Sequence, residues 1–571
     1  MQENEKVDFN QKLEEVLATE DYYQLLAELL GNYRVEYKEV NQKLASAHNS
    51  GKLDILKFLN SPHFLDGNIS HIRQYLGVIG LIEAPTKAVF ETSQRILSKG
   101  EYCNIPISEF LGENKSRITD AVEMLADSPT KWEFFLRSIL ISQSKISLEE
   151  SFQFTIELTA HSNQKIQTEA ILALGYLKYS SDNDLLEKAL DHIHSLLEKK
   201  HSSELTKSCL QTINEICKKN FSFAKGATKS IILCLLDEST LLLEEVSQII
   251  WLDKEHLPAE WEEHFLRFFD KFSITDWQKV HVVDYALAAL LNRERSAEVI
   301  ALLEQKLVVN NNVNLEITNF HDISKAIWES EYIDHEQLFT RWFYSGNHCL
   351  CQAASDIISE HENSPSKVSK IEETQDYLYI ARKAVGWLFI KPKLATFYVL
   401  SVLENCDESD IDKISNLLFY PLIMNTPHTV EEVIKEHVAK LDKRKKKAQA
   451  LVKVLKKSNA YHDVINKASL NKELHPSTRS REAMGRKRLV EHEAMMKEVH
   501  KTSFLASLFG NNKKVILYGN KSVYKQYGGN GESKRQVMPL SKISHSTEVP
   551  ILFSIDPVGL NRLINIFRYE R

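Results

Sequence analysis

The sequence is poor in glycine and proline. It has 18 Gly and 13 Pro among 571 residues, about 3% and 2% against typical contents of about 7% and 5%. Because turn-rich β folds use these residues at their turns, the scarcity favours helices joined by short polar loops. The chain also far exceeds the roughly 250–300 residues at which one hydrophobic core stops growing. We therefore predict a mainly α protein that consists of several domains or of a linear repeat array.

Long apolar runs and a secretory signal are also lacking. The longest apolar stretch, near Ile231–Leu243, is interrupted by Asp237, Glu238 and Ser239, and a membrane span needs roughly 18 apolar residues. The acidic start, Met1–Asp8, has neither the basic nor the apolar region of a signal peptide. The seven cysteines are an odd number, which suits reduced, buried thiols. We expect a cytoplasmic protein with no membrane partner.

Several catalytic signatures are missing as well. The sequence contains no Gly-x-Ser-x-Gly, His-Glu-x-x-His, protein-kinase or Gly-x-Gly-x-x-Gly motif. His348, Cys349 and Cys351 form a single ligand group, whereas a structural zinc site needs four ligands, usually in two pairs. The glycines of 528–534 resemble a phosphate loop, but the lysine follows the serine and a strand follows the loop. We expect no metal, no cofactor and no small-molecule substrate.

What the sequence does contain is an internal repeat. The helical stripe Ile166, Ala170, Ile171, Leu174 and Leu177 recurs 39 residues later as Leu205, Cys209, Leu210, Ile213 and Ile216. A further shift of about 37 residues from three of these positions reaches Leu242, Val246 and Ile250. A period of this length indicates stacked units that are too small to bury their own apolar faces. We predict an irregular α-solenoid of antiparallel helix pairs.

The best-defined unit carries a family resemblance. The helix Gln164–Leu177, with Ala170 and Ala173-Leu174-Gly175 at close-packing positions, resembles the second helix of a HEAT repeat. HEAT repeats are antiparallel helix pairs of about 40 residues. The resemblance is good over 147–220 and extends to about 290. It implies a scaffold or adaptor that binds a protein partner, or in some members nucleic acid, along its helices.

Changes in composition suggest four regions. We predict an N-terminal helical cap over 1–114, HEAT-like repeats over 115–437, a basic helical segment over 438–507 and a small α+β module over 508–571. In the last region we predict strands over 515–518, 522–527, 536–540 and 550–555. Asp556 and Pro557 are typical of a helix start, so a helix is predicted over 559–569.

Three local patterns give more detailed predictions. Ser147 and Glu150 form a capping box, which predicts a helix that starts after Ser147. The stretch 100–114 is predicted to be the least helical part of the first half of the chain. A helix over 448–457 is predicted to end at a loop over 458–460.

The charge is unevenly distributed. The net charge is −7, but residues 438–501 carry 18 Lys and Arg against 7 Asp and Glu, a local charge of +11 that leaves −18 on the rest. Such an asymmetry can mark an interaction surface. The candidate phosphate-contacting residues are Lys443, Arg444, Lys445, Lys446, Lys447, Lys456, Lys457, Arg486, Lys487 and Arg488. Tyr461 is the only Phe, Tyr or Trp in this region, which argues against single-strand stacking.

Three functions remain open. The favoured one is a non-enzymatic scaffold that binds a protein partner along its helices. The first alternative is a nucleic-acid-binding component in which the basic tract, residues 443–488, contacts phosphates independently of sequence. If the tract does not contact phosphates, it is a solvent-exposed face whose positive charge offsets the negative charge of the rest of the chain. The second alternative is an enzyme whose site in the C-terminal module uses titratable residues, namely His545, Glu548, Asp556, Arg562 and Arg568.

A second feature allows two interpretations. The aromatic stripe Trp261, Phe265, Phe268, Phe269 and Phe272 recurs at helical spacing. We expect it to be part of the core, with a partner-binding groove as the alternative.

Overall fold

A computed structural model describes most of the chain, and every structural statement below refers to the residues it describes. These are residues 11–19, 22–32, 37–65, 75–99, 104–179, 183–199, 201–272, 280–293, 295–309, 316–361, 363–369, 376–442, 445–471, 473, 475–502, 516–518, 521–527, 533–539 and 548–570. The fold is mainly α, and the chain forms two compact units, Met1–Ile333 and Asp334–Arg571. The sequence did not predict this division, and the boundaries at 114, 437 and 507 stay predictions.

The first unit consists of helices joined by short loops and four 3-10 turns. The helices are α1 (11–17), α2 (Tyr22–Asn32), α3 (Tyr37–Asn49), α4 (Ile55–Leu59), α5 (Pro62–Leu65), α6 (Thr86–Ser98), α7 (Asn104–Leu111), α8 (Lys115–Asp127), α9 (Leu136–Ser144), α10 (Leu148–Thr159), α11 (Gln164–Tyr176), α12 (Asn183–Leu197), α13 (Ser203–Lys219), α14 (Ala224–Cys234), α15 (Thr240–Leu252), α16 (Ala259–Lys271), α17 (Val280–Leu291), α18 (Ser296–Val309) and α19 (His321–Glu329). The 3-10 turns are Leu76–Leu81, Glu133–Phe135, Phe221–Phe223 and Ile317–Asn319.

The second unit is also mostly helical. Its helices are α20 (His335–Ser345), α21 (His348–Glu360), α22 (Tyr377–Leu388), α23 (Pro392–Asn405), α24 (Ile411–Leu417), α25 (Pro427–Lys440), α26 (Lys446–Ser469), α27 (Thr478–Thr502), α28 (Ile551–Ile555) and α29 (Pro557–Tyr569). A π-helical turn, Leu418–Ile423, follows α24. The strands β1 (Ile516–Tyr518), β2 (Lys521–Tyr527) and β3 (Ser533–Pro539) form an antiparallel sheet in that order.

Alternate helices of the first unit pack on one another. The helices α7, α9, α11, α13, α15, α17 and α19 contact consecutively, and we call them the second row. The helices α12, α14, α16 and α18 contact consecutively in the same way and form a first row. Members of the two rows also pair as neighbours along the chain, for example α12 with α13. Within the two rows, each helix therefore packs against the second helix along the chain, and contacts of this kind are compatible with a helical repeat protein.

The repeated apolar stripe forms the centre of this packing. All thirteen apolar positions of the internal repeat are buried, which confirms that they form a core-facing stripe. They lie in α11, α13 and α15 and at Leu177, which follows α11. Gly175 of α11 allows the close approach of α13, because a Cβ atom there would lie 3.3 Å from the Cα of Thr212. The aromatic stripe from Trp261 to Phe272 is buried too, which confirms the core interpretation.

Several local predictions were wrong. The stretch 100–114 contains helix α7 instead of being poorly helical. The helix predicted to start after Ser147 is present as α10, with Ser147 as its N-cap residue, but the capping box is wrong because the Ser147 side chain makes no capping hydrogen bond. No loop interrupts α26 at 458–460, because Ser458 is buried there and its hydroxyl donates to Glu431 Oε1 of α25 at 2.5 Å.

The end of the chain differs from the predicted α+β module. Three of the four predicted strands are present as β1, β2 and β3, but 551–555 is the helix α28. The predicted final helix is α29, and Asp556 caps it by accepting a hydrogen bond from Gly559 N at 2.9 Å. However, α29 packs on α22 and buries Leu560, Ile564 and Phe567. A self-contained module over 508–571 is therefore not supported, because its last helix belongs to the packing of the helical unit.

Replacing Ile213 by Ala tests the stripe. Ile213 is fully buried in α13, and removing most of a buried isoleucine side chain costs about 2–5 kcal/mol of unfolding free energy. We expect urea denaturation followed by circular dichroism to show this loss. Ile232→Ala on the exposed side of α14 is the matched control, for which we expect a change within about 0.5 kcal/mol. Equal effects would contradict the packing described here.

Candidate protein-binding face and basic tract

An open cleft of about 620 Å³ lies on the second row of helices. Its walls come from the C-terminal end of α15, from α17 and from α19. The small side chains of Ala288, Ala289 and Ala326 lie among the lining residues and keep the cleft open. The cleft therefore extends across three successive helices of the row.

Two exposed aromatic side chains line the cleft on one side. The rings of Trp251 and Tyr285 stack with their centroids 5.1 Å apart and their planes at 29°. Trp251 is 47% exposed and Tyr285 is 41% exposed, and the neighbouring Leu252 is exposed as well. Exposed aromatic side chains that are already held in place lose little conformational entropy when they bind, and residues of this kind dominate protein interfaces.

Charged residues of both signs also line the cleft. They are Lys254, Glu255, Arg293, Asp322, Lys325 and Glu329. Arg293 is held by a buried partner, since its Nη1 lies 2.7 Å from Oε1 of Glu262. Because the two signs are balanced, the cleft does not favour a strongly charged ligand. It offers an aromatic contact and a rim that can form ion pairs.

A buried carboxylate joins two helices of the cleft. Asp284 of α17 is 2% exposed, and its two oxygens accept hydrogen bonds of 2.8 Å from the backbone N–H groups of Asp322 and Ile323 at the start of α19. Burial raises the pKa of Asp284 to about 6, although the two backbone donors act in the opposite direction. Asp284 therefore ties α19 to α17 with a carboxylate that is costly to ionise.

The first part of the basic tract is largely occupied by contacts within the second unit. Lys446 forms an ion pair with Glu408, and Lys453 lies 3.9 Å from Asp412.

Lys447 donates to the carbonyl oxygens of Glu404 and Cys406 at the end of α23, at 2.7 and 2.8 Å. Lys457 donates to Asn416 at 3.4 Å, and its Nζ lies 4.0 Å from the Phe419 ring centroid. Lys447 therefore fastens the start of α26 to the end of α23, whereas Lys446, Lys453 and Lys457 remain exposed despite their contacts.

The other predicted phosphate-contacting residues are placed differently. Lys443 and Arg444 lie outside the described residues. Lys445 is the exposed N-cap residue of α26, and Lys456 is exposed on the same helix. Arg486, Lys487 and Arg488 are exposed on α27. Of these three, Lys487 pairs with Glu491 of the same helix at 3.8 Å. The described members of the tract therefore lie on two successive helices, α26 and α27, and their contact with phosphates stays a prediction.

The titratable residues proposed for an enzyme have structural contacts. Glu548 accepts hydrogen bonds from His428 N and Thr429 N at the start of α25, at 2.6 and 2.9 Å. Asp556 caps α29. Arg568 donates through Nε to Gly386 O at 2.7 Å. His545 lies outside the described residues, and Arg562 is exposed on α29.

The His-Cys-x-Cys group lies at the start of α21. Cys351 is buried, its Sγ donates to Trp342 O at 3.3 Å, and burial raises the pKa of its thiol to about 12. Within the described part of the chain, no group of three or more His, Cys, Asp or Glu side chains could hold a metal ion. Residues 528–532 of the glycine-rich sequence lie outside the described residues, and Ser533 and Lys534 begin β3.

Sequence reasoning missed the Trp251–Tyr285 pair. The conspicuous aromatic pattern in the sequence is the stripe from Trp261 to Phe272, which is buried. The available signal was that Trp251 follows the stripe residue Ile250 directly and so lies away from the repeated apolar positions. An aromatic residue off the buried stripe of a helix is a candidate for surface contacts.

Comparisons with known proteins do not identify a relative. No family model matches the chain, and no curated protein is similar to it. Among solved structures, a crystal structure of an engineered protein shares 14% sequence identity over 77% of this chain and 97% of its own, with a TM-score of 0.27. So low a score supports no inference. The many helices are compatible with a helical repeat protein, while the HEAT resemblance stays a prediction. No described helix has the length and apolarity to cross a membrane.

Replacing Asp284 by Asn tests the buried carboxylate through its pH dependence. A folded-state pKa of about 6 lies above the ordinary value of about 3.9. The contribution of Asp284 to stability is therefore greatest below about pH 4 and is lost as pH rises through about 6. Relative to Asp284→Asn, we expect the wild-type protein to lose about 1–3 kcal/mol between pH 4 and 7 and nothing further above pH 7. Urea denaturation at each pH measures this, and a pH-independent difference would contradict it.

Replacing Lys447 by Gln tests whether the tract supports the fold. The substitution removes charged donors from two carbonyl groups at the end of α23, which costs about 1–3 kcal/mol of unfolding free energy. Lys456→Gln, an exposed site on the same helix, is the matched control and should change stability by less than about 0.5 kcal/mol. Denaturation of the full chain separates the two, and an unaffected Lys447 variant would speak against this role.

Proposed function

We infer that the protein is a non-enzymatic scaffold or adaptor that binds a protein partner along the second row of helices. In this proposal the two rows form an irregular, HEAT-like α-solenoid, and the partner contacts α15, α17 and α19. The observation that carries the proposal is the stacked, half-exposed pair of Trp251 and Tyr285 in the cleft. The pair bridges α15 and α17, and nearly half of each side chain stays exposed in the cleft, where it can contact a partner.

The construction of the row supports this proposal. Side-chain hydrogen bonds couple successive helices of the second row before the cleft, as in the bond from Thr212 Oγ1 of α13 to Ile171 O of α11 at 2.7 Å. Gln211 and Asn214 of α13 donate to Glu245 and Asp253 of the next repeat, both at 2.7 Å. A face fixed in this way can present its exposed groups with little ordering cost on binding.

The chemistry of the cleft supports a protein ligand. Trp and Tyr are enriched among residues that contribute most to protein interfaces. The charged residues of both signs around them can form ion pairs at the rim of such an interface. Ion pairs at a rim contribute more to the choice of partner than to the affinity. A partner segment with an apolar or aromatic anchor and charges of both signs fits these groups best.

A double substitution, Trp251→Ala with Tyr285→Ala, tests the proposal. A stoichiometric partner is first captured with the immobilised wild-type chain, and its affinity is then measured by calorimetry. Loss of central aromatic contacts costs about 2 kcal/mol or more, so we expect Kd to rise at least about 30-fold. The substituted side chains are half-exposed, so thermal denaturation should show a folded protein.

The matched control is Phe221→Ala, which removes an exposed aromatic side chain away from the cleft. It should leave Kd unchanged. Wild-type affinity in the double variant would rule out this cleft as the binding face. An equal loss in both variants would assign the effect to general surface apolarity.

A further inference from the structure

A second open cavity, of about 700 Å³, lies in the second unit, and we call it the tyrosine pocket. Its walls come from the turn between α20 and α21 and from the start of α22. The lining residues are Tyr344, Ser345, Gly346, Asn347, Asp376 and Tyr379. A cavity of this size can hold a small molecule or one side chain of a partner.

Two tyrosine rings line the pocket at a right angle. The rings of Tyr344 and Tyr379 have an interplanar angle of 86° and centroids 6.2 Å apart. Tyr344 is 44% exposed. Tyr379 is held in place, because its hydroxyl donates to Glu570 O at 3.4 Å. Gly346 lets this hydroxyl approach the turn, since a Cβ atom there would collide with it. The two rings therefore form a preformed aromatic corner.

The charge of the pocket is negative. Among the lining residues that the structure describes, only Asp376 is ionised at neutral pH, and it is exposed beside Tyr379. Its Oδ1 accepts a hydrogen bond from Tyr379 N at 2.8 Å. Two cations of α22 are engaged elsewhere. Arg382 pairs with Glu570 at 3.3 Å, and Lys383 is fully buried and donates to backbone carbonyl oxygens. An aromatic and acidic pocket favours a cation.

The polar side chains of the turn are used within the turn. Ser345 Oγ donates to Trp342 O at 2.7 Å and accepts from Asn347 N at 3.2 Å. Asn347 Oδ1 accepts from the backbone N–H groups of Cys349 and Leu350, at 3.0 and 3.3 Å. These contacts leave fewer acceptors for a sugar or for a primary ammonium group, which has three N–H donors. A fully methylated ammonium group has none, and the faces of aromatic rings attract its charge.

We propose that the tyrosine pocket binds a methylated ammonium group, carried by a small quaternary amine or by a methylated lysine of a partner. The rings of Tyr344 and Tyr379 contact the methyl groups, and Asp376 supplies the opposite charge. This inference does not rest on the scaffold function. The pocket belongs to the second unit and shares no lining residue with the cleft of the first.

A pair of isosteric probes tests the proposal on the full-length chain. Choline is compared, by ligand-observed NMR, with its neutral isostere in which a tert-butyl group replaces the trimethylammonium group. The two have the same shape, so a difference in affinity measures the attraction of the charge. Two exposed rings should make choline bind about 5–30-fold more tightly. Equal affinities, or no binding of choline at about 10 mM, would overturn the proposal.

Substitutions in the pocket test its geometry. Tyr344→Leu should remove the preference for choline, whereas Tyr344→Phe keeps the ring and should retain it. Asp376→Asn keeps an acceptor for Tyr379 N but removes the charge, so choline should bind about 2–5-fold more weakly. The matched control is Tyr332→Leu, which removes a tyrosine that is 58% exposed outside the pocket and should change neither affinity.

Circular dichroism should show all variants folded, and Asp376→Asn decides the question if Tyr344→Leu does not fold. Choline binding that is unaltered in Asp376→Asn and in every folded Tyr344→Leu sample would contradict this site.

A short peptide with one trimethyllysine separates the two sources of the group. It should bind at least about fivefold more tightly than the same peptide with unmodified lysine. Tighter binding than choline would assign the pocket to a partner's side chain, and binding of choline alone would assign it to a small molecule. Equal or tighter binding of the unmodified peptide would overturn the assignment to a methylated group.

Discussion

The structure depends on contacts between helices that are one repeat apart. Thr212 bonds to Ile171 across 41 residues, Asn214 to Asp253 across 39, and Asp322 to Asp284 across 38. These hydrogen bonds tie helices of the second row to the next helix of that row. The cleft is a product of the same constraint. Its aromatic pair joins α15 to α17, and a buried carboxylate fixes α19 to α17.

The helices and their buried stripe could be predicted because the signal is local and repeated. The apolar positions from Ile166 to Ile250 recur at the repeat spacing, and the structure buries all of them. The predicted α+β module failed for a different reason. The apolar stripe of α29 shows that the helix must pack on something, but nothing in its own residues says that α22 is the partner. The close contact depends on Gly386 of α22, where a Cβ atom would lie 3.1 Å from the backbone of Arg568. Gly386 is distant from α29 in the sequence, so a local pattern could not reveal the pairing.

The functional surfaces were predictable only in part. The position of the positive charge was predictable, because a local excess of lysine and arginine is visible in the sequence alone. It could not show that Lys446, Lys447 and Lys457 contact residues earlier in the second unit. The Trp251–Tyr285 pair was missed because the two side chains come from different repeats, and their stacking arises only when α15 and α17 pack.

The packing of α29 on α22 joins two helices that are synthesised at different times. Lys383 of α22 is fully buried and donates to the carbonyl oxygens of Arg568 and Glu570, at 2.8 and 2.5 Å. Roughly 160 residues separate the end of α22 from Glu548, which takes on the order of ten seconds or more to synthesise at about 5–20 residues per second. During that interval the side of α22 that α29 covers in the folded chain faces water, which also solvates the Lys383 ammonium group. The packing of the second unit is therefore completed only after α29 has been synthesised.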